Sequence, residues 1–321
     1  MMTLPTEPKV ACIILNWNGW RDTIACLKAL ERVRYSHLES FVVDNGSTDG
    51  SLEELRKVVP DKQLIVNGKN LGFAGGNNVG ILRALQGPAD YVWLLNNDTE
   101  PTPDSLTELV KVARSNPRFG AIGSVMHYAD NRHAVQAWGG GRVNRWSGAC
   151  PLANSPRANR WFTYITAASM LVPRAAFEEV GLLDDGFFLY YEDVEFSCRL
   201  RRHGWNLAVA PAARIYHREN ASTASDSITR DRYSTASGIR FLRAHSPVPW
   251  LAVTVFLSNR MGKRLLTCRP GRFLGVVRGI GDHRKIDRLY GRGKERVTAQ
   301  GVQLAPIAVS LERDSLERVE K

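Results

Sequence analysis

The chain has 321 residues, enough for one large core or for one domain with an appendage. Its 44% hydrophobic and 23% charged content is that of an ordinary globular protein, whereas the formal net charge of +11 is unusual. Five scattered cysteines without CxxC spacing argue against a disulfide framework and a thiolate metal site, and the longest apolar run, Trp250–Leu257, is far short of the ~20 residues of a membrane span.

The N-terminal MMTLPTEPKV does not read as a secretory signal, so a reducing cytoplasm is the expected compartment. The first half then alternates strand and helix signals. Val10–Leu15 predicts a strand ending in Asn16-Trp17-Asn18-Gly19, and Ile24, Leu27 and Leu30 mark a helix behind it. Phe41–Val43 predicts a second strand, closing on Asp44-Asn45-Gly46-Ser47, with a helix through Leu52, Leu55 and Val58. Leu64–Val66 is a third, followed by Asn70 and the glycine-rich Gly72–Asn78, then a helix through Val79, Leu82 and Leu85. Single helices between strands imply right-handed crossovers and a largely parallel sheet.

Tyr91–Leu95 is a fourth apolar run that breaks into Asn96, Asn97 and Asp98. Amides beside a carboxylate form a hard-oxygen set suited to Mg²⁺ or Mn²⁺ on a diphosphate, although Pro103-Asp104-Ser105 nearby also allows a helix-cap reading. Asn, Asp and Gly make turns everywhere. Four such clusters at one sheet edge, however, describe a polar binding crevice at the carboxyl ends of the strands.

Ser105–Ala113 predicts a helix, Ala121–Val125 a strand, and residues 128–160 a hairpin or loop region. Ile165–Val172 returns to strand, Pro173–Val180 is a short helix, and the aromatic Leu182–Tyr191 leads into a helix from Glu192 to Arg202. Asn206–Ala210 and Arg214–His217 predict two final short strands, and the polar Ser222–Ser237 starts as a loop. From Pro249 the pattern is helical. Between Arg260 and Arg296 there are 12 basic against 3 acidic residues, so most of the net charge sits there. That composition fits a membrane-surface or lid-like appendage, or a helix that leaves its basic face in water. Residues after Gln300 read as a frayed tail.

Among single residues, Asp44 is placed to accept the imide N–H of uracil or thymine, or to cap the next helix. Asn16 suits the same base, its ribose, or a turn. Gly72, Gly75, Gly76 and Asn77 resemble a phosphate cradle at a helix N-terminus. The segment is not G-x-G-x-x-G after the first strand, and no P-loop occurs, which disfavours dehydrogenases and P-loop NTPases. Glu192-Asp193 is explained by helix-dipole preference, or by a general base partly desolvated among aromatic rings. Arg199, Arg201 and Arg202 suit diphosphate charge or solvent. His217 is either a metal ligand or a surface imidazole.

ILNWNG, VVDNGSTDGS, NLGFAGGNN, YVWLLNNDTEP and GLLDDGFFLYYEDVEFSCRLRRHGW, in this order, resemble glycosyltransferase family 2, and in particular its bacterial rhamnosyltransferase-like branch, over about Val10–Asn220. The resemblance implies an α/β GT-A fold, Rossmann-like, with a mostly parallel sheet and flanking helices, to which the residue pattern adds a basic helical C-terminal appendage. Residues 1–220 would form the transferase domain, with residues 8–125 binding the nucleotide sugar and 126–220 the acceptor. Residues 221–300 would form the helical region and 301–321 a flexible tail. It further implies Asp193 as base with Glu192 beside it, and Asp98 and His217 as ligands of Mg²⁺ or Mn²⁺. The nucleotide-sugar site would comprise Asn16, Asn18, Asp44, Asn45, Asn70, Gly72, Gly75, Gly76, Asn77, Asn97, Arg199 and Arg202. Asn-Asn-Asp departs from Asp-x-Asp and leaves one carboxylate for the metal, and Glu195 replaces a more usual Asp.

The expected activity is inverting transfer of a sugar, L-rhamnose foremost, from a dTDP- or UDP-linked donor to a lipid-linked or polysaccharide acceptor. It would take place at the cytoplasmic face of the inner membrane, on an anionic surface and without nucleic acid. A nucleotide-sugar-binding module without turnover and a sugar-phosphate nucleotidyltransferase are the alternatives. Asn16-Trp17-Asn18-Gly19 lacks the Arg/Lys-bearing glycine loop that the latter needs.

Overall fold

Short apolar runs alternating with amphipathic stretches produce a strand–helix order. The computed structural model describes residues 7–157, 161–218, 227–267 and 270–290. Strands β1 (Val10–Asn16), β2 (Leu38–Asp44), β3 (Leu64–Val66) and β4 (Tyr91–Asn96) alternate with α1 (Trp20–Leu30), α2 (Ser51–Arg56) and α3 (Gly72–Gln86). Next come β5 (Thr99–Pro101), α4 (Ser105–Ser115), β6 (Phe119–Tyr128), β7 (Val135–Trp138), β8 (Gly140–Gly141), β9 (Tyr164–Ile165) and β10 (Ser169–Pro173). The chain continues through α5 (Arg174–Val180), α6 (Glu192–Arg202), β11 (Asn206–His217), α7 (Ser227–His245), α8 (Pro249–Leu266) and α9 (Pro270–Tyr290). The expected 301–321 tail lies outside the described residues.

The main sheet runs β3-β2-β1-β4-β10-β6-β11-β5, with β7 on β6. Strands β3, β2, β1 and β4 are parallel, so their carboxyl ends share one edge. β6 and β11 also pair in parallel, and three opposed strands make the sheet mixed. β10 runs antiparallel to β4 and β6, and β5 antiparallel to β11. The cause is where β10 begins: Ser169 pairs with Leu95, so the chain enters the sheet from the carboxyl edge of β4 and must run back. Residues 206–217 form one strand rather than two, with a register shift between Ala210 and Arg214 around Pro211, which has no N–H for the ladder. Part of the 128–160 segment is a hairpin partner, β7, on β6.

Both faces of the sheet are covered, which matches the continuous apolar runs of β1 and β4 and the Phe41–Val43 run of β2. Cys12, Ile14 and Trp93 meet α1 and α4 through Cys26, Leu106 and Leu109. Ile13, Val43 and Leu94 meet α3, α5 and α6 through Ile81, Phe177 and Phe196. Each such side chain contributes about 1.5–3 kcal/mol by leaving water. Trp93 is fully buried because its indole N–H donates to Ser169 Oγ at 3.0 Å.

A third cluster decides where the C-terminal helices go. Phe241, Leu242, Ala252 and Phe256 of α7 and α8 pack on Phe187, Tyr191 and Val194, the segment that opens α6. Within the polar Ser222–Ser237 stretch, residues from Ser227 onward are helical, because the small polar side chains are what the helix buries. Thr235 is wholly inaccessible, and Ser237 donates to Leu189 O at 2.8 Å. Arg260 and Arg264, expected to face water or a membrane, point inward to Asp231. Among the described residues no helix is long and apolar enough to cross a membrane.

Candidate active site

The polar ends of the strands converge at one edge. β1 and β2 pair in parallel with Asn16 opposite Asp44, and the Asn16 amide donates to Asp44 Oδ1 at 2.9 Å and to Ser47 Oγ at 3.1 Å. Ser47 N–H donates to the other Asp44 oxygen at 3.2 Å. Asp44 is only 1% exposed, so its carboxylate shapes the loop after β2 and offers a base little open edge. Asn18, exposed and with φ of 51°, accepts the Thr48 N–H at 2.8 Å and faces the solvent side of the same corner.

Several residues expected to touch the donor have their hydrogen bonds taken by protein. The Asn45 amide donates to Asn70 Oδ1 and Gly72 O, and its oxygen accepts from Asn67 and from Leu71 N–H, which saturates it. Asn70 in turn accepts the Gly72 N–H at 2.8 Å. Gly72–Asn78 forms the first turns of α3, and its glycines serve close approach. Gly72 has φ of +76°, and a Cβ there would strike the Phe188 carbonyl. A Cβ on Gly76 would come within 2.5 Å of Leu15 Cδ1 and 3.1 Å of Asn45 Cγ. Gly75 lies against Leu71, and Asn77 donates back to Phe73 O inside the helix. Phe73 N–H, a would-be anion donor, goes to Phe188 O at 2.7 Å.

Arg199 has its donors taken by protein as well. It is buried, forks onto Glu195 at 2.8–3.1 Å, and gives its remaining donors to Val180 O and Leu182 O. Burial would raise the Glu195 pKa, but His245 at 3.6 Å and Arg199 outweigh it and hold the carboxyl down at about 2. Arg202 is exposed at the far end of α6, nine residues and thus ~14 Å of helix from Asp193. Neither arginine meets the strand-end cluster.

Asp98 and His217 do meet, although 119 positions separate them. β5 pairs antiparallel with β11, with His217 opposite Thr99. This puts His217 Nε2 at 3.2 Å from Asp98 Oδ1. Arg218 N–H donates to Asp98 O at 2.9 Å and fixes the crossing. On the other side of the ring, Nδ1 lies 2.8 Å from Gln136 Oε1. An amide oxygen only accepts, so Nδ1 donates to Gln136 and Nε2 is the ring nitrogen that faces Asp98. Asp98 Oδ1 is buried with no hydrogen-bond partner. A ring nitrogen and a buried carboxylate oxygen face to face are a donor set that fits a divalent cation, with Gln136 as the outer partner that orients the ring. No group of three or more His, Cys, Asp or Glu suited to a metal occurs among the described residues, so further ligands would come from the donor phosphates. Asn97 is turned aside: its amide donates to Thr23 Oγ1 at 3.0 Å.

The carboxylate pair lies one strand end away. Asn96 N–H donates to Ala168 O at 3.0 Å, and the neighbouring Ala167 N–H donates to Asp193 Oδ2 at 3.2 Å. Asp193 Oδ1 accepts Val194 N–H at 2.8 Å. Tyr190 and Tyr191, just before the pair, both have left-handed backbones, with φ of 69° and 68°. Such strain costs about 1–3 kcal/mol per residue and needs support. Tyr191 OH donates to Gly148 O at 2.5 Å, and its ring packs on Phe241. Burial, with the Asp193 charge beside it, pushes the Glu192 pKa well up, and Glu192 Oε2 has no partner. Burial also raises Asp193, opposed by its backbone donors. The pair therefore holds one proton more readily on Glu192, leaving Asp193 as the carboxylate.

Gln136, Thr23 and Ala167 were absent from the sequence reading. Gln136 reaches His217 through the β6–β7 hairpin and carries no local signal. Thr23, which donates to Asn16 Oδ1 at 2.8 Å, follows the first strand end by one helical turn and was open to inspection.

Residues 11–181, just over half the chain, match the family described as Glycosyl transferase family 2. The N-acetylglucosaminyl-diphospho-decaprenol L-rhamnosyltransferase of Mycobacterium tuberculosis is 29% identical over 209 residues, which cover 58% of this chain and 68% of the relative. A solved mannosyltransferase from Pyrobaculum calidifontis, in complex with GDP-Man and Mn²⁺, superposes with a TM-score of 0.52 at 16% identity, over 89% of this chain and 88% of its own. GalNAc-T7 with UDP, GalNAc and Mn²⁺ gives a TM-score of 0.56 at 15% identity over 82% of this chain, which spans 58% of that chain's length. At such identities the solved structures speak for architecture alone, and that architecture is the GT-A fold.

Proposed function

Because the chain belongs to glycosyl transferase family 2, we propose that it transfers a sugar, L-rhamnose from a dTDP- or UDP-linked donor, to a lipid-linked acceptor with inversion at the anomeric carbon. The observation that carries this reading is the Asp98 Oδ1–His217 Nε2 pair at 3.2 Å, held at the carboxyl edge of the sheet by Gln136. The rhamnosyltransferase relative supports the choice of sugar and of a diphosphate-lipid acceptor.

Asp98 and His217 would hold Mg²⁺ or Mn²⁺, which when bound supplies Lewis-acid stabilisation of the leaving diphosphate. Asn18 and Ser47 line the corner where the nucleoside would lie, with Asn16 and Asp44 bonded behind them. Asp193 takes the proton of the attacking acceptor hydroxyl. Two backbone donors and the Thr166 hydroxyl aim the carboxylate. Glu192, kept protonated by burial, prevents a second negative charge from competing for that proton. Helix α8 supports a peripheral place on the cytoplasmic membrane face: Trp250, Leu251, Val255, Leu265 and Leu266 are exposed along a face without charged residues.

A panel of nucleotide sugars assayed for nucleoside diphosphate release, with Mn²⁺, Mg²⁺ or EDTA, tests the reading. Full activity in EDTA would exclude the metal. Turnover that persists in Asp193→Asn would exclude the base, and no turnover with any donor would favour a binding module.

A further inference from the structure

Three of the arginines in the basic C-terminal section turn inward. Asp231 of α7, with its side chain 2% exposed, is the only carboxylate among the described residues that pairs with Arg260 and Arg264 of α8 and Arg272 of α9. Arg264 gives Nε and Nη2 to it at 3.1 and 2.6 Å, Arg272 gives Nε and Nη2 at 2.6 and 3.4 Å, and Arg260 gives Nη2 at 3.2 Å. Arg260 Nη2 also donates to Ser234 Oγ at 2.5 Å. Three guanidinium groups against one carboxylate leave two positive charges uncompensated, on side chains only 19%, 11% and 23% exposed.

One carboxylate balances the charge of one guanidinium, and a second can share it. A third adds like-charge repulsion and desolvation cost, which an anion would offset. Arg260 Nε is buried without a partner, and no Nη1 of the three donates to a protein group among the described residues. The cluster has donors in hand.

Its position ties it to the reaction. Arg260 packs over the Phe256 ring, in the cluster that also holds Tyr191. Its charge acts on the Tyr191 hydroxyl and on the Cys150 thiol, which also feels Asp193 and Glu192. Arg260 thus stands beside the packing that holds the start of α6, where Tyr191 immediately precedes Glu192-Asp193. The helix that supplies Arg260 and Arg264 also presents the uncharged apolar face.

We propose that Arg260, Arg264 and Arg272 form a second anion site, which takes the diphosphate of a lipid-linked acceptor while its sugar hydroxyl lies at Asp193. This rests on the transferase reading for the acceptor, but the site is testable without turnover. The full chain is titrated calorimetrically in EDTA with inorganic pyrophosphate and with farnesyl diphosphate, without donor. Both bind and displace one another. Arg272→Gln weakens both on the order of tenfold, the size of one charge-assisted hydrogen bond. Asp231→Asn, which removes the competing carboxylate and keeps its shape, tightens both.

The two variants move in opposite directions, so a merely structural cluster, in which Asp231→Asn only lowers the melting temperature, would overturn the proposal. So would a diphosphate affinity indifferent to Arg272. Arg272-dependent binding to phosphatidylglycerol vesicles without binding of either diphosphate would overturn it too, in favour of a phospholipid headgroup site. Intact diphosphate binding in a protein that turns over no nucleotide sugar would refute the transferase reading and leave the anion site standing.

Discussion

Replacing Gln136 by Met removes the acceptor that fixes the His217 ring and keeps the volume. Gln136 is 8% exposed, and its Oε1 lies 2.8 Å from Nδ1, so no water shell replaces it freely. The ring then gains by moving its proton to Nε2, where Asp98 Oδ1 at 3.2 Å accepts it. In that tautomer the metal-facing lone pair is gone, and a cation must first displace the proton. Loss of such an outer partner costs ~10–100-fold in metal affinity or activity. The expected result is a Mn²⁺ activation midpoint raised by about that factor, with kcat at saturating Mn²⁺ near wild type. Direct Mn²⁺ titration by calorimetry should show the same shift. Gln136→Glu, which still accepts, should restore or tighten binding. A Mn²⁺ midpoint in Gln136→Met within about twofold of wild type would refute the tautomer argument.

Asp193→Asn should lower kcat by ~10²–10⁴ while donor binding persists. Because the Asp193 pKa is raised, the acid limb of the wild-type rate profile should lie above the ordinary Asp value of 3.8, with activity lost as pH falls through it. Glu195→Ala leaves Arg199 buried and unpaired, at a cost of ~3–5 kcal/mol read by denaturant unfolding. The folded Glu195 pKa of about 2 is below the reference 4.5, so this contribution is complete above pH ~4.5 and fades as pH falls toward 2. Gly76→Ala should destabilise by ~1–3 kcal/mol through overpacking against Leu15 and Asn45, less the ~1 kcal/mol by which Ala favours helix. The donor KM should not change; a large KM rise at full stability would revive the phosphate cradle.

The parallel half was legible because its strands are buried on both faces. Val10–Leu15 and Tyr91–Leu95 could hardly be anything else, and each ends where Asn or Asp replaces the apolar run. The second half was harder to read. Strand β5 is three residues of Thr-Glu-Pro, which no periodicity marks, and the polar start of α7 hides its helix because its small hydroxyl side chains face inward.

Residue type and local spacing alone determined the Asn–Asp strand ends, the carboxylate pair at the start of α6 and the family resemblance, since those depend on neighbours within one turn or one strand. Only tertiary structure decided which polar groups are left over. Asn45 and Arg199 read as ligand contacts until their partners from Asn67, Leu71, Val180 and Leu182 are in place. Asp98 and His217 become a pair only through the β5–β11 register, and Arg260, Arg264 and Arg272 become a cluster only when three helices close on Asp231. A hydrogen-bonding group has a fixed capacity set by its chemistry, and folding decides whether protein or ligand takes it up.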